Sequence, residues 1–257
     1  MTPSPFAALL PTQCCVVEAC EGSSWSMGLL DQEQRHAVYM NQQRLREFTA
    51  GRNCARAALT RLGLPAAAIG MGAQGEPRFP AGVIGSITHT GNYCAAALTL
   101  KQGIRTIGID AQTNMPLDQQ LYRRVLGREP RKTSAHDGFC EGTLTFSLKE
   151  AFYKAIFPVC QRKVHSKELV VNLLAEHGRC QIHVLTPDLK ACIDDLNVDI
   201  RYAFDDRHIY SAVTLWERYT GALVHERKMK RTSPFPLVFS ALPFFGRNAG
   251  VRRPACG

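Results

Sequence analysis

No run of about twenty apolar residues occurs in this 257-residue chain, so no membrane-spanning helix is expected. The ten cysteines include no C-x-x-C pair and no His/Cys cluster at zinc spacing, which argues against a structural zinc site. Adjacent Cys14 and Cys15, with Cys20 nearby, make no disulfide framework; reduced thiols in a cytoplasmic protein are expected. The opening MTPSPFAALLPTQCC lacks both a basic leader and a long apolar stretch, so no signal peptide is predicted. The chain also lacks a broad excess of positive charge. Its formal charge is +9, but Arg227, Lys228, Lys230, Arg231, Arg247, Arg252 and Arg253, set against Glu226, place +6 after His225 and leave the body with only +3. That is too little to coat nucleic acid. It suits a small anionic ligand or an acidic protein partner.

What is present is an ordinary globular composition, 45% hydrophobic and 21% charged, with enough length for a sizeable core. A strand is expected around Cys14–Glu18. A helical region runs from Asp31 to Leu62, with a break near Asn41–Arg44 or Gly51. In its second part Phe48, Ala55, Ala58, Leu59 and Leu62 form the core stripe, and Gly63 caps it. Residues 63–82 are too rich in Gly and Pro for regular structure. VIGSITHTG is extended, and Tyr93–Leu100 with Ile104–Asp110 read as a hairpin turning at Lys101–Gly103. A short helix over Leu117–Leu126 follows. Glu168–Leu174, Cys180–Thr186, Val198–Phe204 and Ile209–Leu215 read as strands, with Pro187–Leu196 a helical connector. The fold class is therefore α+β, with two similar lobes over 1–110 and 111–225 and a basic, Pro-containing, loosely ordered tail over 226–257.

LTFSLKEAFYKAIFP (Leu144–Pro158) is the most informative stretch. Ser147 with Glu150 reads as a capping box starting a helix, and Pro158 as its end. Leu148, Ala151, Phe152 and Ala155 give one apolar face, and Glu150 and Lys154 lie one turn apart on another. On that stretch alone Glu150 is a cap paired with Lys154. Elsewhere, Arg52 and Arg56 are four apart, the spacing of two solvated arginines or of a two-pronged anion site. His89 sits among Gly85, Ser86, Thr88, Thr90 and Gly91, where hydroxyls and amides can meet a phosphate. Asp110 ends an apolar strand in which Ile107 and Ile109 share one face and Gly108 and Asp110 the other. A carboxylate there needs a partner, and a hard cation such as Mg²⁺ is one.

GRNCARAAL (Gly51–Leu59), GEPRFPAGVIGSITHT (Gly75–Thr90), IGID (Ile107–Asp110) and FSLKEAFYKAIFP (Phe146–Pro158) occur in that order. The ordered set resembles the 4′-phosphopantetheinyl transferases, in particular the branch associated with siderophore synthesis. The resemblance covers about two-fifths of the chain, from Gly51 to Pro158. It implies two pseudo-symmetric α+β lobes with coenzyme A and Mg²⁺ between them, and transfer of the phosphopantetheine arm to a serine of an acidic acyl or peptidyl carrier protein. It further implies that Arg52 and Arg56 hold the 3′-phosphate, that Thr88 and His89 meet the coenzyme A phosphates, and that Asp110 and Glu150 bind the metal. Lys154 would lie against the pyrophosphate, and Glu150 would take the serine proton. Two departures stand out. Gln112 occupies a position usually held by an acid in the metal site. Glu76 stands where a lysine often precedes the loop proline, leaving Gln74 or, better on charge, Arg78 to substitute. These departures also fit a carrier-protein-binding homologue with reduced activity. A monomer is expected, with no specific nucleic-acid partner.

Overall fold

The computed structural model describes residues 4–20, 25, 27–127, 138–174 and 178–218. The basic tail read over 226–257 lies outside the described residues. In chain order the elements are α1 (Pro5–Leu9), β1 (Cys15–Cys20), α2 (Asp31–Gln34), α3 (Gln42–Arg61), β2 (Gly70–Met71), β3 (Pro77–Arg78), β4 (Val83–Thr90), β5 (Tyr93–Leu100) and β6 (Ile104–Thr113). They continue with α4 (Gln119–Leu126), α5 (Glu141–Cys160), a 3₁₀ turn (Ser166–Glu168), β7 (Leu169–Leu173), β8 (Cys180–Val184), α6 (Pro187–Ile193), β9 (Leu196–Phe204) and β10 (His208–Glu217). No described helix is long and apolar enough to cross a membrane.

The architecture is α+β. Two three-stranded antiparallel sheets, β1-β5-β4 and β6-β10-β9, are joined by two short pairs, β2-β3 and β7-β8. Each three-stranded sheet carries one twenty-residue helix. Cys54, Ala55, Ala58 and Leu59 of α3 pack on Val17, Ala19, Cys94, Ala96 and Leu98 of the first sheet. Leu144, Leu148, Ala151, Phe152 and Ala155 of α5 pack on Ile200, Ile209, Val213 and Leu215 of the second. The opposite faces of both sheets share a third core, in which Phe6 and Leu9 of α1 meet Ala95, Ala97, Ile107, Ile109, Tyr210 and Ala212. Burial of these apolar faces is the main source of stability.

The expected hairpin over 93–110 is absent. Both edges of β5 are taken, by β1 and β4, and β6 pairs with β10 instead. Ile104–Asp110 therefore belongs to the second sheet. The seam between the sheets is closed by side chains: Ile109 N–H donates to Ser86 Oγ at 3.0 Å and Ala111 N–H to Thr88 Oγ1 at 2.9 Å. Two hydroxyls, two residues apart on β4, stand in for strand carbonyls, so both amides of β6 are satisfied.

The motif helix α5 starts at Glu141 rather than Ser147, and no side chain caps it. Ser147 is fully buried in mid-helix. Burial of Leu144 in the core outweighs the local capping signal. Pro158 does not end α5 either. The helix continues to Cys160 and closes at Gln161, whose positive φ of 52° and N–H bond to Phe157 O end it. α3 begins where Asn41 Oδ1 accepts from Arg44 N–H at 2.8 Å, a side-chain N-cap. That cap is the physical basis of the break near Asn41–Arg44.

Candidate active site

A cavity of about 480 Å³ opens between α3, the loop before β3, the seam strands β4 and β6, and α5. Arg52, Thr88, His89, Asp110, Gln112, Glu150 and Lys154 line it. Segments separated by as much as a hundred residues thus bring these seven candidate residues onto one space.

Asp110 is the hub. It is 3% exposed. Its Oδ1 accepts from Lys154 Nζ at 2.6 Å and from Thr88 Oγ1 at 3.4 Å, and its Oδ2 from Gln112 Nε2 at 2.8 Å. Lys154 Nζ also donates to Ile109 O at 3.0 Å. The Lys154 contact is a charge-assisted bond, among the stronger kinds of hydrogen bond. What lets α5 approach so closely is Gly108. A Cβ there would lie 2.0 Å from Ala151 O and 2.6 Å from Ala155 N.

Glu150 is not paired with Lys154, which is spent on Asp110, and it caps nothing. Among the described residues it has no hydrogen-bond or ion-pair partner. Burial raises its carboxyl above the ordinary range; Lys154 and Arg124 pull it down and Asp110 pushes it up. A half-buried, unpartnered carboxylate beside a second carboxylate is a poor structural device and a good proton acceptor. Among the described residues no cluster of three or more His, Cys, Asp or Glu side chains could hold a metal. The acids come as a pair, Asp110 and Glu150, with the Gln112 amide beside them. Repulsion between the two carboxylates and an all-oxygen donor set fit a hard cation that takes its remaining ligands from phosphate and water.

The opposite wall is cationic. Arg52 is buried, with Nε and Nη2 donating to Ile69 O and Gly70 O, both at 3.1 Å, and its guanidinium 4.0 Å over the Phe48 ring. Burial lowers it to about 10, so it stays charged at neutral pH. Arg44 Nη1 lies 2.7 Å from His89 Nε2, while His89 Nδ1 is 3.4 Å from Glu47 Oε2. Arginine only donates, so Nε2 is the acceptor and the ring proton sits on Nδ1, facing Glu47. Burial first, then Arg44 and Lys154, lower the His89 pKa, against Glu47 and Asp110. Both the Arg44 contact and this lowering favour the neutral ring at pH 7.

Two expected residues lie elsewhere. Arg56 does not line the cavity. Its guanidinium is buried against Glu33 and Asn53 Oδ1 and donates to Gly28 O at 3.0 Å. Glu33 is fully buried, so Arg56 is its counter-charge. Arg78 projects from β3 as an exposed side chain, and Gln74 takes the cavity position. Glu76 lines the cavity but turns its carboxylate onto its own loop, accepting from Gln74 N–H at 2.9 Å. Arg44 and Glu47 were not singled out from the sequence. The cavity face of α3 is Arg44, Glu47, Phe48, Gly51 and Arg52, a set spaced at i, i+3, i+4, i+7 and i+8 that helical periodicity makes one face.

A second cavity of about 520 Å³ adjoins the first, and Phe146, Glu150 and Tyr153 line both. Its other walls are the end of α4, with Arg124 and Val125, and the segment Lys163–Lys167 leading into β7. The exposed Arg124, Lys163, His165 and Lys167 make its rim basic.

A family model of the 4′-phosphopantetheinyl transferase N-terminal domain matches residues 32–99. The chain is 39% identical over 140 residues to the 4′-phosphopantetheinyl transferase Npt of Nocardia iowensis, an alignment covering 53% of this chain and 63% of that protein. It is 32% identical over 168 residues to Svp of Streptomyces mobaraensis, covering 62% and 67%. It is 38% identical over 124 residues to PptT of Mycobacterium tuberculosis, covering 46% and 54%. The alignments thus span between about half and two-thirds of these relatives.

Proposed function

Because the chain belongs to the 4′-phosphopantetheinyl transferase family, we propose that it moves the 4′-phosphopantetheine arm of coenzyme A onto a serine of an apo acyl or peptidyl carrier protein, releasing 3′,5′-adenosine bisphosphate. The observation that carries this reading is the unpartnered Glu150 carboxylate, facing a cavity whose other groups are Asp110, Lys154, Arg44, Arg52 and neutral His89.

In this reading the donor lies in the first cavity. Arg52 and Arg44 take its 3′-phosphate and Thr88, His89 and Lys154 its pyrophosphate. Arg44 leaves His89 as it engages the phosphate. Mg²⁺ would be held by Asp110 and Glu150, with the Gln112 amide oxygen a weaker ligand, and when bound it offsets the pyrophosphate's negative charge. The carrier serine reaches Glu150 through the second cavity, whose basic rim suits an acidic partner. Its Oγ–H proton goes to Glu150 as Oγ attacks the β-phosphorus in line. A new P–O bond forms to the serine, and the bond to the adenosine bisphosphate oxygen breaks. Lys154 stabilises the leaving phosphate. Positioning and fixed charge account for most of the rate.

The test is incubation with apo carrier protein, coenzyme A and Mg²⁺, followed by intact mass measurement. A mass gain of one phosphopantetheine arm is expected. Binding of carrier protein without any gain would leave a binding homologue as the better description. A panel of acyl and peptidyl carrier proteins, including one from siderophore synthesis, would then identify the acceptor class.

A further inference from the structure

Lys149 is a buried cation that the transfer chemistry leaves unused. It is 8% exposed, and its ammonium donates to Val125 O at 2.7 Å, Ser166 O at 2.8 Å and Ser166 Oγ at 3.2 Å. All three acceptors are neutral. Burial accordingly lowers its pKa. Val125 lies in the last turn of α4, where carbonyls lack an intrahelical partner, and Ser166 Oγ donates to the same oxygen at 3.1 Å. Lys149 therefore ties three elements together: α5, the end of α4 and the Ser166–Glu168 turn. The last two are the walls of the second cavity and carry Arg124 and Lys167. The tie is made one residue from Glu150.

We propose that Lys149 is a positioning residue for the acceptor: it fixes the basic walls of the second cavity relative to Glu150, and so sets where an acidic carrier protein docks. The donor cavity needs no such tie, because Asp110 and Lys154 hold its floor independently. This inference rests on the reading that the acceptor enters through the second cavity, and the experiment separates the two.

KM for an apo acyl carrier protein and Kd for coenzyme A, by titration calorimetry, are measured for wild type, Lys149→Met, Ser166→Ala and Arg124→Glu. Lys149→Met is expected to raise the carrier KM by about tenfold or more while the coenzyme A Kd stays within about twofold. Ser166→Ala is expected to move the carrier KM the same way by less; it carries the test if Lys149→Met fails to fold. A rise in both constants together, or in neither, would overturn the proposal and leave Lys149 a purely structural tie. Arg124→Glu reports on the entry route. If it leaves the carrier KM unchanged, the route is wrong and the Lys149 role falls with it. If it raises the carrier KM while Lys149→Met and Ser166→Ala do not, the route stands and only the Lys149 role falls.

Discussion

Gly108 and Ala151 are in backbone contact: a Cβ on Gly108 would sit 2.0 Å from the Ala151 carbonyl oxygen. Thr106 Oγ1, two residues before Gly108 on the same face, donates to Ala155 O at 2.5 Å. This contact puts Lys154 within reach of Asp110. Gly108→Ala meets main-chain atoms, which no rotamer change relieves, so α5 must lift from β6. Overpacking of this kind typically costs about 1–3 kcal/mol, or a Tm lower by several degrees in a chain of this size. Carrier modification should fall more than the stability loss explains, because Asp110, Lys154 and Glu150 separate. Thermal melts run beside initial rates check this; an active, stable Gly108→Ala would mean that the contact is not tight.

The arginines of α3 divide by environment. Arg44 faces the donor cavity, while Arg56 neutralises the fully buried Glu33. Arg44→Ala is expected to raise KM for coenzyme A more than for its 3′-dephospho analogue, because a charge-assisted contact is lost only where the phosphate is present. Arg56→Ala should instead unfold the protein more readily, by about 3–5 kcal/mol, since removing one partner strands a buried charge. Equal effects of Arg44→Ala on both donors would remove Arg44 from the phosphate site.

Much of this site is legible in the chain. The alternation of Ile107, Gly108, Ile109 and Asp110 assigns the two faces of β6, but that Gly108 meets the backbone of α5 is a tertiary fact that the alternation does not carry. The row of α3 is half legible. Four-residue spacing picks out Arg52 and Arg56, but the row continues two turns toward the N-terminus, and it is Arg44, Phe48 and Arg52 that meet the cavity, while Arg56 is drawn to the buried Glu33. The start of α5 is not legible because a capping box is a local signal worth about 1 kcal/mol, whereas burying Leu144 adds a contribution from residues far along the chain. The pairing of β6 with β10 is likewise non-local. About a hundred residues separate the strands, so nearest-neighbour reasoning favours the shorter hairpin with β5. The second cavity draws on three segments, and its buried tie at Lys149 carries no motif distinct from the one that marks Glu150.

Gln112 donates to Asp110 Oδ2 at 2.8 Å, so Gln112→Glu does two things. It removes a donor from a buried carboxylate and sets a third acid at the site. Without metal the variant should be less stable than wild type at neutral pH, through like-charge repulsion. Added Mg²⁺ should raise its Tm more than it raises that of wild type, as a ligand that binds only the folded state does. Differential scanning fluorimetry with and without Mg²⁺ reads this directly. Equal Mg²⁺ shifts in the two proteins would place the side chain outside the metal site.

Glu150 gives the decisive case, because its structural and chemical roles predict opposite signs. Its carboxyl is raised by burial and by Asp110, and among the described residues it has no hydrogen-bond or ion-pair partner. A carboxylate with a raised folded pKa adds to stability below its unfolded pKa, and that contribution is lost as pH climbs through the folded value. At neutral pH the charged Glu150 therefore detracts from stability. Glu150→Gln should hold or raise Tm there, with the difference from wild type shrinking as pH falls into the carboxylate range. A capping or ion-pair role would lower Tm instead. Rate moves the other way: loss of the proton acceptor should slow carrier modification by about 10²–10⁴. The same raised pKa places the acid limb of the wild-type rate profile above the ordinary carboxylate range. Lys154 holds that pKa down, so Lys154→Met should shift the limb to still higher pH as well as slowing turnover. A Glu150→Gln enzyme that modifies carrier protein at the wild-type rate would leave α5 as scaffold and require another base.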